Sequence, residues 1–332
     1  MKKQGARKWF IAVAMIIFSL MAVAMATAQK FEPGSIKVLN KNGKKPMIGV
    51  SVIGTEHNWD INAYNGVIAR LKAWGVDVIA FDGERKPEKQ LADVKTLIAR
   101  KVDVIAVILG QTQSLSPALK EARASGIPVI TADFQDPSSL CNIATNNYAA
   151  MAEVVLKMVG DLNGEGEIGV FFRPGSPIGE LRKGVFDLVL KSYPKVKVQA
   201  LEAYVVPGTV PDAYNKTKDM MRANPGIKAF WTIFDMPVIG SAQALADMGL
   251  ASKVAAYGFD GDPTAMAMIA DPKSAFEATV AQQPYLIGQT LADTAVEVVL
   301  GKKVPVMKFV PHVLVTRENV NEVLNTLPQY KK

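Results

Sequence analysis

Short apolar runs alternate with helical stretches along most of this chain. "PMIGVSVIG" reads as a strand, and apolar positions three and four apart mark residues 61–74 as an amphipathic helix. "VDVIAFD", "VDVIAVIL" and "IPVITADF" follow as strands, separated by helices over 88–100 and 115–125. The strands are continuously apolar rather than alternating, as expected of a parallel sheet covered on both faces. Gly75 and Gly126 stand just past helix ends, where a left-handed cap is favoured.

The rhythm restarts after Asn146. A helix near 149–162 leads to the strand "EIGVFF". Helices over 178–192, 213–223 and 238–248 then alternate with the strands "VKVQALEAY", "IKAFWTIF" and "KVAAYGFD". Next come "AFEATVAQQ", a helix over 286–300 and "KFVPHVLVT". The first half lacks a final helix and strand, which this tail could supply. The fold class is therefore α/β, with two Rossmann-like, doubly wound lobes. Chain crossing between such lobes leaves a cleft at the carboxyl ends of both sheets, where α/β sheets bind ligands.

The 332 residues suffice for two domains, but the N-terminus stands apart. Lys2, Lys3, Arg7 and Lys8 precede an apolar run over 10–25, and Ala26-Thr27-Ala28 is a small-x-small signal. Residues 1–28 read as a cleaved export signal, giving a periplasmic protein, and 29–45 as a flexible polar lead-in. Removing the four cations of the signal lowers the net charge from +7 to +3. That weak balance argues against a nucleic-acid partner. Cys141 is the only cysteine, so no internal disulfide forms, and it is expected to be a small buried hydrophobe. His57 and His312 are the only histidines and lack metal-ligand spacing. Neither a metal nor another cofactor is expected.

Enzymatic motifs do not stand out. The turn from Gly54 to Asp60 lacks G-x-G-x-x-G, and neither a P-loop nor a G-x-S-x-G elbow is present. Carboxylates, an amide and aromatic rings instead recur just after strands. They are His57, Trp59 and Asp60; Asp133 and Phe134; Arg173, then Glu180 and Arg182; Phe234 and Asp235; Asp260; and Gln282. Ionised carboxylates accept hydroxyl protons, amides donate and accept, and aromatic faces cover C–H surfaces. Singly, each has a bland reading. Asp60 and Asp260 could cap helices, the rings could be core, and Asp235 is better read as structural. Recurrence in both halves favours a site for a neutral polyhydroxylated ligand.

"KPEKQLADVKTLIARKVDVIAV", "ALKEARASGIPVITAD", "YGFDGDPTAMAMI" and "ATVAQQPYLIGQ" resemble the class I, ribose/galactose-type periplasmic binding proteins of ABC importers, over about residues 46–322. The resemblance implies two lobes joined by a three-strand hinge near 145–146, 282 and 311–312. Lobe one would be 46–145 plus 283–311, and lobe two 147–281 plus 312–332. It also implies a monomer that closes on a sugar or polyol and delivers it to an inner-membrane permease, with a chemoreceptor as a further partner. The family's contact positions fall on His57, Trp59, Asp60, Asp133, Asp260 and Gln282. Its second-lobe arginine falls on Glu180 or Arg182. Phe134 stands where ribose-type members carry arginine, and Phe234 where they often carry asparagine, which widens the ligand class beyond ribose. Two other readings share these features: a receptor for a signalling furanose, and an exported sugar-active enzyme.

Overall fold

The computed structural model describes residues 31–330, so the export signal and its cleavage point lie outside the described residues. The first sheet is built from β1 (Met47–Val52), β2 (Asp77–Asp82), β3 (Val104–Ile108), β4 (Val129–Ala132), β5 (Ser139–Thr145) and β11 (Met307–Val310), in the order β11-β5-β4-β3-β1-β2. Helices α1 (Asn58–Ala73), α2 (Pro87–Ala99) and α3 (Thr112–Ala124) connect its leading strands. The second sheet holds β6 (Gly166–Phe171), β7 (Val196–Glu202), β8 (Ile227–Thr232), β9 (Ala255–Tyr257), β10 (Phe276–Ala281) and β12 (Val313–Thr316), in the order β12-β10-β9-β8-β6-β7. With it go α4 (Asn147–Asp161), α5 (Pro177–Lys191), α6 (Thr209–Ala223), α7 (Asp235–Asp247), α8 (Pro263–Ala270) and α10 (Val320–Thr326). Strand pairs are parallel except β10 with β12.

The unbroken apolar strands follow from burial on two faces. Along β3, Val104, Ala106 and Ile108 join one core cluster, while Ile105 and Val107 join another on the opposite face. Helix α9 (Pro284–Val299) comes late in the chain yet packs on α1 in the first lobe. Two glycines allow that approach. A Cβ on Gly288 would lie 2.0 Å from the Ala63 carbonyl oxygen, and one on Gly66 2.2 Å from that of Tyr285.

Among the described residues the chain passes between the sheets three times. It leaves β5 at Thr145 for α4, β10 at Ala281 for α9, and β11 at Val310 for β12. The apolar run "KFVPHVLVT" thus divides between two sheets. Pro311 has no N–H for a ladder, so the break falls there. Strand β5 carries Asn142 and Thr145 and was not singled out by its pattern.

The lead-in differs from expectation. Residues 31–45 lie against the first lobe rather than hanging free of it. The Phe31 ring sits 4.7 Å from Trp74, Val38 is buried, and Asn40 donates to Asp103 at 3.0 Å. Three apolar side chains, Phe31, Ile36 and Val38, find a patch on that lobe's core, which outweighs the polar average of the stretch.

Candidate functional site

The carboxyl ends of both sheets face one cleft, a cavity of about 570 Å³. His57, Trp59, Asp60, Asp133, Arg173, Arg182, Phe234, Asp260 and Gln282 line it. Helix α1 starts at Asn58, earlier than the apolar period alone indicates, so Trp59 and Asp60 stand in its first turn beside the cavity. Asp60 is 2% exposed and does not cap the helix; it is ion-paired with Arg85. Arg85 follows β2 and also approaches Glu56, Nε to Oε2 3.3 Å.

A polar chain runs across the first crossing. Asp133 Oδ1 accepts from Asn147 Nδ2 at 3.2 Å. Asn147 Oδ1 accepts from Arg182 Nε at 2.9 Å. Arg182 Nη1 donates to the Ile233 carbonyl at 2.8 Å and lies 3.4 Å from Asp260 Oδ1. Gln282 Nε2 donates to the same Asp260 oxygen at 2.8 Å. The chain therefore ties the first lobe's carboxylate to the second lobe's. The Arg182 guanidinium also stacks 3.9 Å from the Phe259 ring centroid. Of the two candidates for the second-lobe contact, Arg182 is the one at the cavity.

Two expected contacts are elsewhere. Phe134 is 1% exposed and belongs to the core beneath α3 with Leu115 and Leu119. Asp133 has φ 45°, and this left-handed turn gives Asp133 to the cavity while Phe134 joins the core. Glu180 is exposed, and its Oε1 accepts from the Gly175 N–H at 3.0 Å, tying down the loop before α5. Asp235 is buried under the rim, accepting from Thr279 Oγ1 and the Asp262 N–H, each at 2.7 Å.

Other cavity residues were passed over by the strand-end pattern. Arg85 after β2 and Tyr204 after β7 follow the same rule and could have been found by it. Tyr204 stands edge-on to Phe234, centroids 4.9 Å apart, with Arg173 5.5 Å over its ring. Asn58 reaches across the cleft to Asp262 Oδ2 at 2.8 Å. Gln329 and Tyr330, at the far end of the chain, also line the cavity, and no local pattern announces them.

Burial dominates the electrostatics. It raises Asp133 to about 6 despite Arg182 and Asn147, which pull the other way. Asp260 and Asp235 are likewise raised, first by burial; Arg182 and Gln282 oppose the rise of Asp260, and Asp260 adds to that of Asp235. Burial, then the charge of Arg85, lowers His57 to about 4, so its imidazole is neutral at pH 7. Two buried polar atoms on the lining residues, Trp59 Nε1 and Gln282 Oε1, have neither a hydrogen-bond nor an ion-pair partner among the described residues. One is a donor and the other an acceptor.

A family model described as the periplasmic binding protein domain matches residues 48–303. The chain belongs to the periplasmic binding protein family. A relative is the ribose import binding protein of Bacillus subtilis, 26% identical over 88% of this chain and 94% of its own. Among solved structures, an ABC transporter solute binding protein from Agrobacterium vitis with bound allitol is 37% identical, with a TM-score of 0.82. That match covers 85% of this chain and 99% of the other. An ABC sugar transporter subunit from Rhodobacter sphaeroides is 36% identical with a TM-score of 0.80, covering 82% and 99%. Periplasmic binding proteins of this kind are carriers, and the cleft described above is where the two lobes of this one meet.

Proposed function

We propose that this chain is an exported, monomeric receptor that closes its lobes on a polyol or sugar and passes it to the inner-membrane permease of an ABC importer. The observation carrying the proposal is the pair of orphaned polar atoms, Trp59 Nε1 and Gln282 Oε1, on the walls of the inter-lobe cavity. A buried polar atom without a partner is costly, and a ligand rich in hydroxyl groups offers both donors and acceptors to relieve it. Asp60, Asp133 and Asp260 accept further hydroxyl protons, and Tyr204 and Phe234 cover the carbon skeleton. The role of the pocket is capture, without catalysis. Contacts from both lobes favour the closed state, so the ligand shifts an open–closed equilibrium.

The allitol complex of the Agrobacterium vitis relative makes allitol the first ligand to test, with ribose and other aldoses, pentitols and hexitols beside it. Ligand at about 100 times its Kd stabilises by about 2.7 kcal/mol, a shift that a thermal melt resolves. Trp59→Ala should abolish the shift. No shift with any compound of the panel, or formation of a product from one of them, would overturn the proposal.

A further inference from the structure

The turn at Pro328–Tyr330 lies far in sequence from the strand ends, yet two of its side chains reach the cleft. Gln329 Nε2 donates to the backbone carbonyl of Gln282 at 2.5 Å. Gln282 is the residue on which the chain crosses from β10 toward α9. Its own side chain donates to Asp260 at 2.8 Å, and its N–H donates to the Asp260 carbonyl at 3.1 Å. Tyr330 Oη donates to the Gly261 carbonyl at 2.5 Å, and Tyr330 packs against the second lobe's core.

The loop so held is an unusual one. Asp260 has φ 134° and Gly261 φ 73°, two successive residues in a region that side chains rarely adopt. A Cβ on Gly261 would lie 2.4 Å from the Tyr330 hydroxyl and 2.6 Å from Ala281 Cα, so loop, crossing and tail interlock. The next residue, Asp262, accepts from Asn58 of the facing lobe and caps α8 through Thr264 N at 2.8 Å. A strained loop keeps its shape only where its surroundings over-determine it. Here the tail supplies two of the constraints.

We propose that Gln329 and Tyr330 are positioning residues of the ligand site. Gln329 holds the crossing at Gln282, Tyr330 holds the loop at Gly261, and together they fix Asp260 against the cavity. The proposal rests on the receptor reading for its functional consequence, while the clamp itself is a property of the unliganded chain.

Full-length Tyr330→Phe and Gln329→Ala test it beside wild type. Tyr330→Phe keeps the ring and its packing and deletes one donor. In unliganded protein, hydrogen exchange over residues 258–263 and 281–284 should quicken by at least about fivefold in each variant, with peptides of β1 to β4 unchanged. Allitol affinity by titration calorimetry should fall about tenfold, with the unliganded melting midpoint essentially unmoved. Wild-type exchange in those two segments together with wild-type affinity would overturn the clamp, as would exchange that quickens throughout the chain. A wild-type protein that binds no member of the ligand panel defeats the receptor reading instead, and the exchange comparison still decides the clamp.

Discussion

Replacing Arg182 with methionine removes the cation placed between Asp133 and Asp260 while keeping much of its volume. The guanidinium is 5% exposed and donates to Asn147 and Ile233. Stripping one partner from a buried ion pair costs about 3–5 kcal/mol, because the other charge stays behind unpaired. Asp260 lies 3.4 Å away and is partly open to the cavity, so the lower end, about 3 kcal/mol, is expected near neutral pH. At roughly 2–4 °C per kcal/mol for chains of about this size, the melting midpoint should fall by roughly 6–12 °C. The deficit should depend on pH. A carboxyl whose folded pKa is raised contributes stability below its unfolded pKa and loses it as pH climbs through the folded one. In wild type that window for Asp133 runs from its ordinary 3.8 to about 6, and Asp260 is raised as well. Without Arg182 both rise further, so the variant goes on losing stability at higher pH than wild type does. His57, lowered to about 4, gains stability for the fold as pH rises toward its ordinary 6.5, but it does so in both proteins and cancels in the difference. Melts followed by circular dichroism should therefore show a small gap at about pH 5 and the full gap at about pH 8. Equal deficits at the two pH values, or none at the higher, would refute the charge-balance reasoning.

Two other substitutions separate core from site. Phe134→Ala should cost about 3–5 kcal/mol in urea denaturation, since it empties a site among Leu115, Leu119 and Leu97, yet leave allitol affinity intact; a folded variant with weakened binding would put that ring at the ligand. Cys141 is fully buried and its thiol is pushed up to about 11 by burial, so an aromatic disulfide reagent at about pH 8 should label it only in denaturant. Rapid labelling of the native protein would contradict its burial.

The alternation of apolar runs and helices was legible because the central strands are buried on both faces and the connecting helices on one. Val104 to Ile108 carry that information in five consecutive letters. The strand-end rule reached Trp59, Asp60, Asp133, Asp260 and Gln282, which all line the cavity, because parallel sheets present their carboxyl ends to one edge. It failed at Phe134, one residue beyond Asp133, because a left-handed backbone at Asp133 sends neighbours to opposite sides. It failed at Glu180 because its exposed carboxylate turns back onto the Gly175 N–H of the preceding loop. Arg85 was within the rule's reach and still passed over; its place opposite Asp60 depends on Glu84 and Arg85 both taking positive φ, 51° and 53°.

The amino-acid sequence by itself determined the elements, the parallel character of the sheets and the sheet edge at which chemistry gathers, since these follow from local periodicity and from which residues leave water. The tertiary structure alone decided who meets whom across that edge. Asn147 joins Asp133 to Arg182, Asn58 reaches Asp262, Gln329 returns to the crossing at Gln282, 47 positions upstream, and Tyr330 to the loop at Gly261, 69 positions upstream. Such partners are set by the three crossings of the chain and the closeness of the lobes. No residue's own neighbourhood in sequence encodes them, because the energy that selects them, the pairing of buried polar groups, exists only once both lobes have excluded water from the same space.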